Sequence, residues 1–177
     1  MSYEAFLQLA KSRRSIRKFL KKPLPEEAVE KVVKAASYAP SARNTQPWDF
    51  VVVQDPEVKE EVTRKLLENM PPMVPKSFVD APVFIFLFGD PRVRPFIPGP
   101  EEGAEEHWRF NLCASMSCAF DHMFLAAASL GLGAMRHPIR QRPGSGCLTA
   151  CGAPAASLER PRNSRSGRRP GSLSESP

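Results

Sequence analysis

Residues 81–89 read APVFIFLFG, and this segment decides what kind of fold the 177-residue chain can adopt. The six residues from Val83 to Phe88 are all apolar, so an extended chain here presents apolar side chains on both faces. A short run of this kind, closed by Gly89, is typical of a strand in the middle of a sheet. It is too short to cross a bilayer, which takes about 20 apolar residues. The segment therefore predicts a sheet that is buried on both faces, and no membrane span.

The sequence on either side predicts one more strand and four helices. Residues 48–54, WDFVVVQ, are mostly aromatic and β-branched, as strand residues commonly are. Helical spacing of apolar residues, or a helix-start signal, marks four further segments: Tyr3–Lys11, Pro25–Tyr38, Asp55–Asn69 and Glu105–Leu130. The last segment ends at Gly131 and Gly133, which favour helix termination. This order of elements predicts an α/β or α+β domain in which helices cover the sheet.

The composition of the chain changes after Met135. Residues 136–177 contain no Val, Phe, Trp, Tyr or Met and are dominated by Arg, Pro, Gly and Ser. Such a segment cannot bury enough apolar surface to offset the entropy lost on ordering, so we expect it to be disordered or poorly packed. We therefore divide the chain into a domain at 1–135 and a tail at 136–177. The tail offers no strand-like run, so the sheet should be incomplete at its C-terminal end, and one hypothesis is that the tail is a frameshift product.

Charge and cysteine usage bear on several classes of function. The net charge of +6 lies entirely in the tail, which holds eight arginines, no lysine and two acidic residues. Residues 1–135 are neutral overall and so lack the basic surface that nucleic-acid binding requires. The four cysteines, Cys113, Cys118, Cys147 and Cys151, do not have the spacing of a metal site, so we expect no metal. The N-terminus shows no secretory signal, which predicts a cytoplasmic location with reduced thiols.

The first candidate binding segment is residues 11–19, KSRRSIRKF. It brings three guanidinium groups and two hydroxyls together between two predicted helices. Arginine binds phosphate well because its planar guanidinium donates two parallel, charge-assisted hydrogen bonds. The alternative is a basic loop that is only solvated, or a localisation signal.

The second candidate segment is residues 39–48, APSARNTQPW, which leads into the strand at 48–54. Each Asn or Gln amide offers a donor and an acceptor, so the pair can bind the edge of a heterocycle that carries both. The alternative is a polar turn whose amides bond to neighbouring backbone, with Trp48 as an anchor in the core.

Together the two segments resemble the nitroreductase family of flavin enzymes. RRSIRKF near the N-terminus is followed by PSARNTQPWDFVVV, and the later APVFIFLFGD and LAAASLGLGAM are also similar to segments of that family. The resemblance covers Met1 to about Met135. It implies an α+β fold with a central mixed or antiparallel sheet covered by helices. It also implies an intertwined homodimer with FMN bound at the interface.

The resemblance assigns cofactor-binding roles to residues of both segments: Arg13, Arg14, Ser15, Arg17, Pro40, Ser41, Asn44 and Gln46. Arg13 and Ser15 match residues that hold the FMN phosphate and ribityl chain, and Arg14 lies in the same run. Arg17 matches a basic residue near N1 and O2 of the flavin ring. The residues from the second segment match a loop that the partner chain places over the flavin.

The activity that the resemblance implies is reduction of small molecules by NADH or NADPH through FMN. The acceptors would be nitroaromatics, quinones or similar compounds, and hydride would pass through flavin N5. We assign no catalytic side chain, because the chain contains no Ser–His–Asp or Cys–His arrangement and the cofactor itself carries the chemistry. The alternatives are an inactive, truncated relative with weak or no flavin binding, and a nucleic-acid binder that uses the basic tail.

The resemblance ends at Met135. Members of the family continue with another strand and a basic segment that completes the phosphate site, and residues 136–177 resemble neither. A strand that lacks its neighbours leaves backbone N–H and C=O groups unpaired, each at a cost of about 1–3 kcal/mol. We therefore expect this chain to bind FMN weakly or not at all.

Overall fold

The computed structural model describes residues 1–68, 78–138 and 147–152, and these residues form four α-helices and four β-strands. The helices are α1 (Tyr3–Ser12), α2 (Glu26–Ser37), α3 (Pro56–Glu68) and α4 (Ala104–Ser129). The strands are β1 (Trp48–Val53), β2 (Val83–Gly89), β3 (Gly133–Pro138) and β4 (Cys147–Gly152). Short 3₁₀ turns occupy Ala42–Asn44 and Pro91–Phe96. The four helices and the first two strands lie where the sequence predicts them.

The strands form one antiparallel sheet in the order β1-β2-β4-β3. Trp48 pairs with Gly89 between β1 and β2, and Val83 pairs with Cys151 between β2 and β4. Gly133 pairs with Gly152 between β4 and β3. Helices pack on this sheet, so the α+β class with a central antiparallel sheet is confirmed.

Strand β2 lies inside the sheet and is buried on both faces, as its composition predicts. Its side chains alternate between two apolar clusters: Ile85 and Leu87 belong to one cluster, and Phe84 belongs to the other. The first cluster includes side chains from α2 and α4, such as Val32 and Met123. The second cluster includes Phe19, Phe78 and Met135. The sheet is therefore sandwiched between two apolar layers, and α4 supplies much of one of them.

Helix α4 is long and apolar enough to cross a membrane if only length and composition are considered. In the structure it lies against the sheet, and one side of it is buried among core residues that include Trp108, Leu112 and Met123. A core helix passes the same length and composition test, so the packing of α4 accounts for its apolar character.

The expectation that no strand follows Met135 is wrong. Strand β3 continues past Met135 to Pro138, and β4 lies wholly within the predicted tail. Strand β4, CLTACG, has one large apolar residue, Leu148, and it is held by pairing with β2 on one side and β3 on the other. Pairing of this kind depends on backbone hydrogen bonds and not on large apolar side chains, so composition does not reveal it. Both edges of β2 are therefore paired. Unpaired backbone groups on β2 are thus no longer a reason to expect weak FMN binding.

The cysteines of the predicted tail lie in β4. Cys151 is only 2% exposed, and burial raises the pKa of its thiol to about 12, so it is an inert thiol of the core. The other residues of the predicted tail, 139–146 and 153–177, lie outside the described residues. The division into domain and tail and the frameshift hypothesis stay predictions.

Candidate functional site

The basic segment that follows α1 is fixed to the edge of the sheet. Arg13 is the C-cap of α1, and two residues later Ser15 forms an isolated parallel bridge with Ala134 of β3. The backbone N–H of Ile16 donates to the carbonyl oxygen of Ala134 at 3.0 Å. A Cβ atom on Gly133 would lie 2.7 Å from Cβ of Ile16, so the close approach requires glycine there. The segment therefore has one defined position, beside β3.

Two of the three guanidinium groups of this segment, those of Arg13 and Arg17, carry a charge that no carboxylate of the described residues compensates. Arg13 and Arg14 are half-buried, whereas Ser15 and Arg17 are exposed. Within residues 1–68, 78–138 and 147–152, neither Arg13 nor Arg17 forms an ion pair with a carboxylate. A half-buried cation without a counter-ion favours binding of an anion. The segment has the chemistry of an anion-binding site.

The loop at Pro40–Gln46 is closed by its own hydrogen bonds. The hydroxyl of Ser41 accepts from the backbone N–H of Gln46 at 2.9 Å, and the carbonyl oxygen of Ser41 accepts from the N–H of Asn44 at 2.9 Å. The Gln46 Nε2 donates to Asn44 Oδ1 at 3.3 Å. Ser41, Asn44 and Gln46 are thereby brought together, and the amides of Asn44 and Gln46 are exposed.

The backbone of this loop is strained. Arg43, Asn44 and Gln46 have φ angles of 51°, 54° and 47°, in the left-handed region that residues other than glycine rarely adopt. Each such residue costs on the order of 1 kcal/mol or more, so the surrounding structure must hold the conformation. Strain of this kind is concentrated at ligand-binding and catalytic sites, which favours a functional role for the loop.

Ser115 of α4 anchors the loop, and the sequence analysis missed it. Its hydroxyl donates to the carbonyl oxygen of Asn111 at 2.7 Å and accepts from the backbone N–H of Ala42 at 3.1 Å. Ser115 is 3% exposed, one of two buried polar residues in the described part of the chain. The one signal in the sequence was a serine on the otherwise apolar side of α4.

The two candidate segments lie at opposite edges of the sheet in one chain. The loop at Pro40–Gln46 leads directly into β1, whereas Ser15 lies beside β3. Three strand spacings, roughly 14 Å in total, separate these two edges of the sheet. Along α4, Ser115 is roughly 21 Å from the helix end at Ser129, which precedes β3. The structure therefore does not bring the eight predicted residues into one site within a single chain.

Grooves lined by the described residues lie elsewhere, and two of them adjoin β1 or the entrance to β2. One, of about 290 Å³, is lined by Lys21, Lys59 and Asp80 among others. The second, of about 370 Å³, lies between α2 and β1. Neither is lined by any of the eight predicted residues, so neither supports the cofactor assignment.

Lys59 of α3 has a structural role beside the first groove. Its ammonium group donates to the carbonyl oxygens of Val79 at 3.1 Å and Ala81 at 2.9 Å, and lies 5.2 Å from the ring centre of Phe84. Burial lowers the pKa of Lys59, and the nearby charge of Asp80 opposes that shift. The lysine thus ties α3 to the segment that enters β2.

Comparison with known proteins identifies the family. The model of the nitroreductase family matches residues 10–139. A protein of Methanothermobacter thermautotrophicus, "Putative NADH dehydrogenase/NAD(P)H nitroreductase", is 37% identical over 131 residues, which are 73% of this chain and 58% of that protein. Rat iodotyrosine deiodinase 1 is 44% identical over 69 residues, which are 39% of this chain and 24% of that protein. The chain therefore spans little more than half of the first relative and a quarter of the second.

Solved structures share the fold. A nitroreductase family protein of Clostridium difficile is 24% identical, with a TM-score of 0.69, and the match covers 96% of this chain and 94% of that one. A solved structure from Clostridium acetobutylicum, "Putative NADH Oxidase", is 28% identical, with a TM-score of 0.63, and the match covers 84% of this chain and 89% of that one. The family match covers well over half of the chain, and the fold agrees with it. The chain belongs to the nitroreductase family.

Proposed function

We propose that the chain is an FMN-dependent oxidoreductase that uses NADH or NADPH to reduce nitroaromatics, quinones or similar small molecules. It would act in the cytoplasm as a homodimer, with FMN held at the interface between two copies. Membership of the nitroreductase family and the names of its relatives support the activity. The observation that carries the cofactor assignment is the basic segment at Arg13–Arg17, fixed beside β3, in which Arg13 and Arg17 lack carboxylate partners among the described residues.

The residues present fit FMN. Arg13 and Ser15 would hold the phosphate and ribityl chain, because a guanidinium and a hydroxyl both donate to phosphate oxygens. Arg14 lies in the same segment, and Arg17 would face the polar edge of the flavin ring. The isolated bridge at Ser15 and the hydrogen bond from Ile16 fix this segment before any ligand binds. Little ordering entropy is therefore lost on binding.

The second segment fits the exposed part of a flavin. The strained loop of Pro40, Ser41, Asn44 and Gln46 presents two amide groups that can donate and accept at the edge of a heterocycle. Because this loop and the basic segment lie at opposite edges of the sheet, the loop would act on the cofactor held by the other copy.

Helix α4 offers a surface for the second copy. Opposite its buried side, Phe110 is 72% exposed, and Cys113, Ala114 and Ser117 are exposed along the same helix. A large exposed aromatic beside small residues is typical of a surface that a partner covers. A second copy packed on this side would bury Phe110.

When bound, FMN would supply the redox chemistry by accepting hydride from NAD(P)H and passing it to the acceptor. The side chains of this protein would bind the phosphate, orient the ring and place positive charge beside it. No side chain is assigned a proton-transfer role.

The visible spectrum of the purified chain with added FMN tests the proposal. We expect flavin absorbance to stay with the protein through gel filtration, and NAD(P)H to be oxidised when a quinone is added. The double variant Arg13→Gln, Arg17→Gln should lose bound flavin, whereas Arg64→Gln, an exposed arginine paired with Glu68 on α3, should retain it. A folded chain that retains no flavin would contradict the proposal and favour an inactive relative.

A further inference from the structure

Strand β3 places one more arginine on the face of the sheet that Ser15 shares. Ala134 belongs to the apolar cluster formed with α4, whereas the next residue, Met135, belongs to the cluster on the opposite side. The guanidinium of Arg136 lies 5.9 Å from the ring centre of Phe120 on α4. Ala134 and Arg136 therefore face α4, in agreement with the alternation of side chains along a strand.

Ser15 is on this same face. Residues bridged in a parallel pair point their side chains to the same side of the sheet, and Ser15 is bridged to Ala134. Arg136 is two residues further along β3, a rise of roughly 7 Å. A long arginine side chain can span that distance, so Arg136 and Ser15 can reach one ligand.

Among the described residues, no carboxylate faces these groups, and the Arg136 guanidinium has the Phe120 ring beside it. Within the described part of the chain, the hydroxyl of Ser15 makes no hydrogen bond, and neither Arg136 nor Arg13 forms an ion pair. Ser15 and Arg136 are exposed to solvent. The Ser15 hydroxyl and the Arg136 guanidinium form an exposed surface suited to a phosphate, and Arg13 lies two residues before Ser15 in the chain.

We infer that Arg136 binds the phosphate group of FMN together with Arg13 and Ser15. This inference rests on the proposed function, because FMN is the ligand proposed for that segment. The inference predicts a difference between two ligands. Riboflavin has the same ring and ribityl chain without the phosphate, so its affinity should not depend on Arg136.

Quenching of flavin fluorescence on binding tests the inference. The dissociation constants for FMN and for riboflavin are measured at fixed ionic strength with the full chain and with three variants: Arg136→Gln, Arg136→Lys and the control Arg64→Gln. Each variant removes or replaces one exposed arginine, and circular dichroism and the melting temperature establish that each is folded.

We expect Arg136→Gln to bind FMN about tenfold more weakly than the unmodified chain, because one charge-assisted hydrogen bond to phosphate is lost. Arg136→Lys should lose less, since it keeps the charge, and Arg64→Gln should lose nothing. Riboflavin binding should be the same for all four proteins.

Equal FMN binding by Arg136→Gln and Arg64→Gln would overturn the inference and leave the proposed function intact. An equal loss for FMN and riboflavin would also overturn it, since Arg136 would then act away from the phosphate. Failure of the unmodified chain to bind FMN would instead refute the proposed function.

Discussion

Removal of the Ser115 hydroxyl should release the strained loop from α4. In the variant Ser115→Ala, the backbone N–H of Ala42 loses its acceptor, which lies 3.1 Å away in a buried position. A buried donor left without a partner costs about 1–3 kcal/mol. The variant should therefore unfold at a lower urea concentration, by a free energy in that range.

The same helix supplies a matched control. The Ser117 hydroxyl donates to the carbonyl oxygen of Cys113 at 2.7 Å, as Ser115 does to Asn111, but Ser117 is exposed and its hydroxyl has no hydrogen bond to the loop. Ser117→Ala should therefore change the free energy of unfolding by less than about 0.5 kcal/mol. The difference between the two variants isolates the contact between helix and loop.

A second measurement on these variants concerns binding. Because Ser115 positions the loop that carries Asn44 and Gln46, Ser115→Ala should weaken FMN binding, whereas Ser117→Ala should not. If the two variants unfold at the same urea concentration and bind FMN equally, Ser115 does not hold the loop and the reasoning is wrong.

Three further perturbations test separate parts of the structure. Gly133→Ala should cost about 1–3 kcal/mol in urea unfolding, because its Cβ would lie 2.7 Å from Cβ of Ile16, and it should also weaken FMN binding by displacing the basic segment. Phe110→Glu should shift the chain from dimer to monomer in analytical ultracentrifugation, whereas Phe96→Glu, at a similarly exposed phenylalanine, should leave the dimer unchanged. The folded chain binds the proton of Lys59 more weakly than the unfolded chain does, so stability should rise as pH increases towards the ordinary lysine pKa of 10.5. Lys59→Met should lack that rise in urea unfolding measured between pH 8 and 10.5, and an identical rise in both proteins would show that other groups cause it.

The sequence predicted those parts of the fold that depend on apolar patterning. The run from Val83 to Phe88 is buried on both faces because consecutive side chains alternate between two apolar layers. The start of α3 was equally predictable, since Asp55 Oδ1 accepts from the backbone N–H groups of Glu57 and Val58, each at 3.0 Å. In each case the deciding interaction is local or depends on side-chain type.

The parts that composition did not reveal depend on backbone contacts. Strand β4 has one large apolar residue, Leu148, and is held between β3 and the more distant β2. The positive φ angles at Arg43 and Gln46 were not predictable, because residue type favours glycine or asparagine at such angles. The role of Ser115 depends on a contact with residue 42, which only the packed structure brings near.

The distance between the two candidate segments was also not predictable from the sequence. Sequence chemistry showed that one suits an anion and the other a heterocycle edge, but not how far apart they lie. The sheet order puts them at opposite edges, so the account requires that one cofactor contacts the basic segment of one copy and the loop of the other.

Complementation between two inactive variants tests this requirement most directly. One variant carries Arg13→Gln and Arg17→Gln, and the other carries Asn44→Gly and Gln46→Gly, where glycine keeps the left-handed backbone and removes the amides. Each variant alone should bind no FMN. Co-expressed, they should form mixed dimers in which one of the two sites has an intact basic segment and an intact loop, so FMN binding should reappear with one flavin per mixed dimer. Mixed dimers that form and bind no FMN would show that the two segments do not meet across the interface.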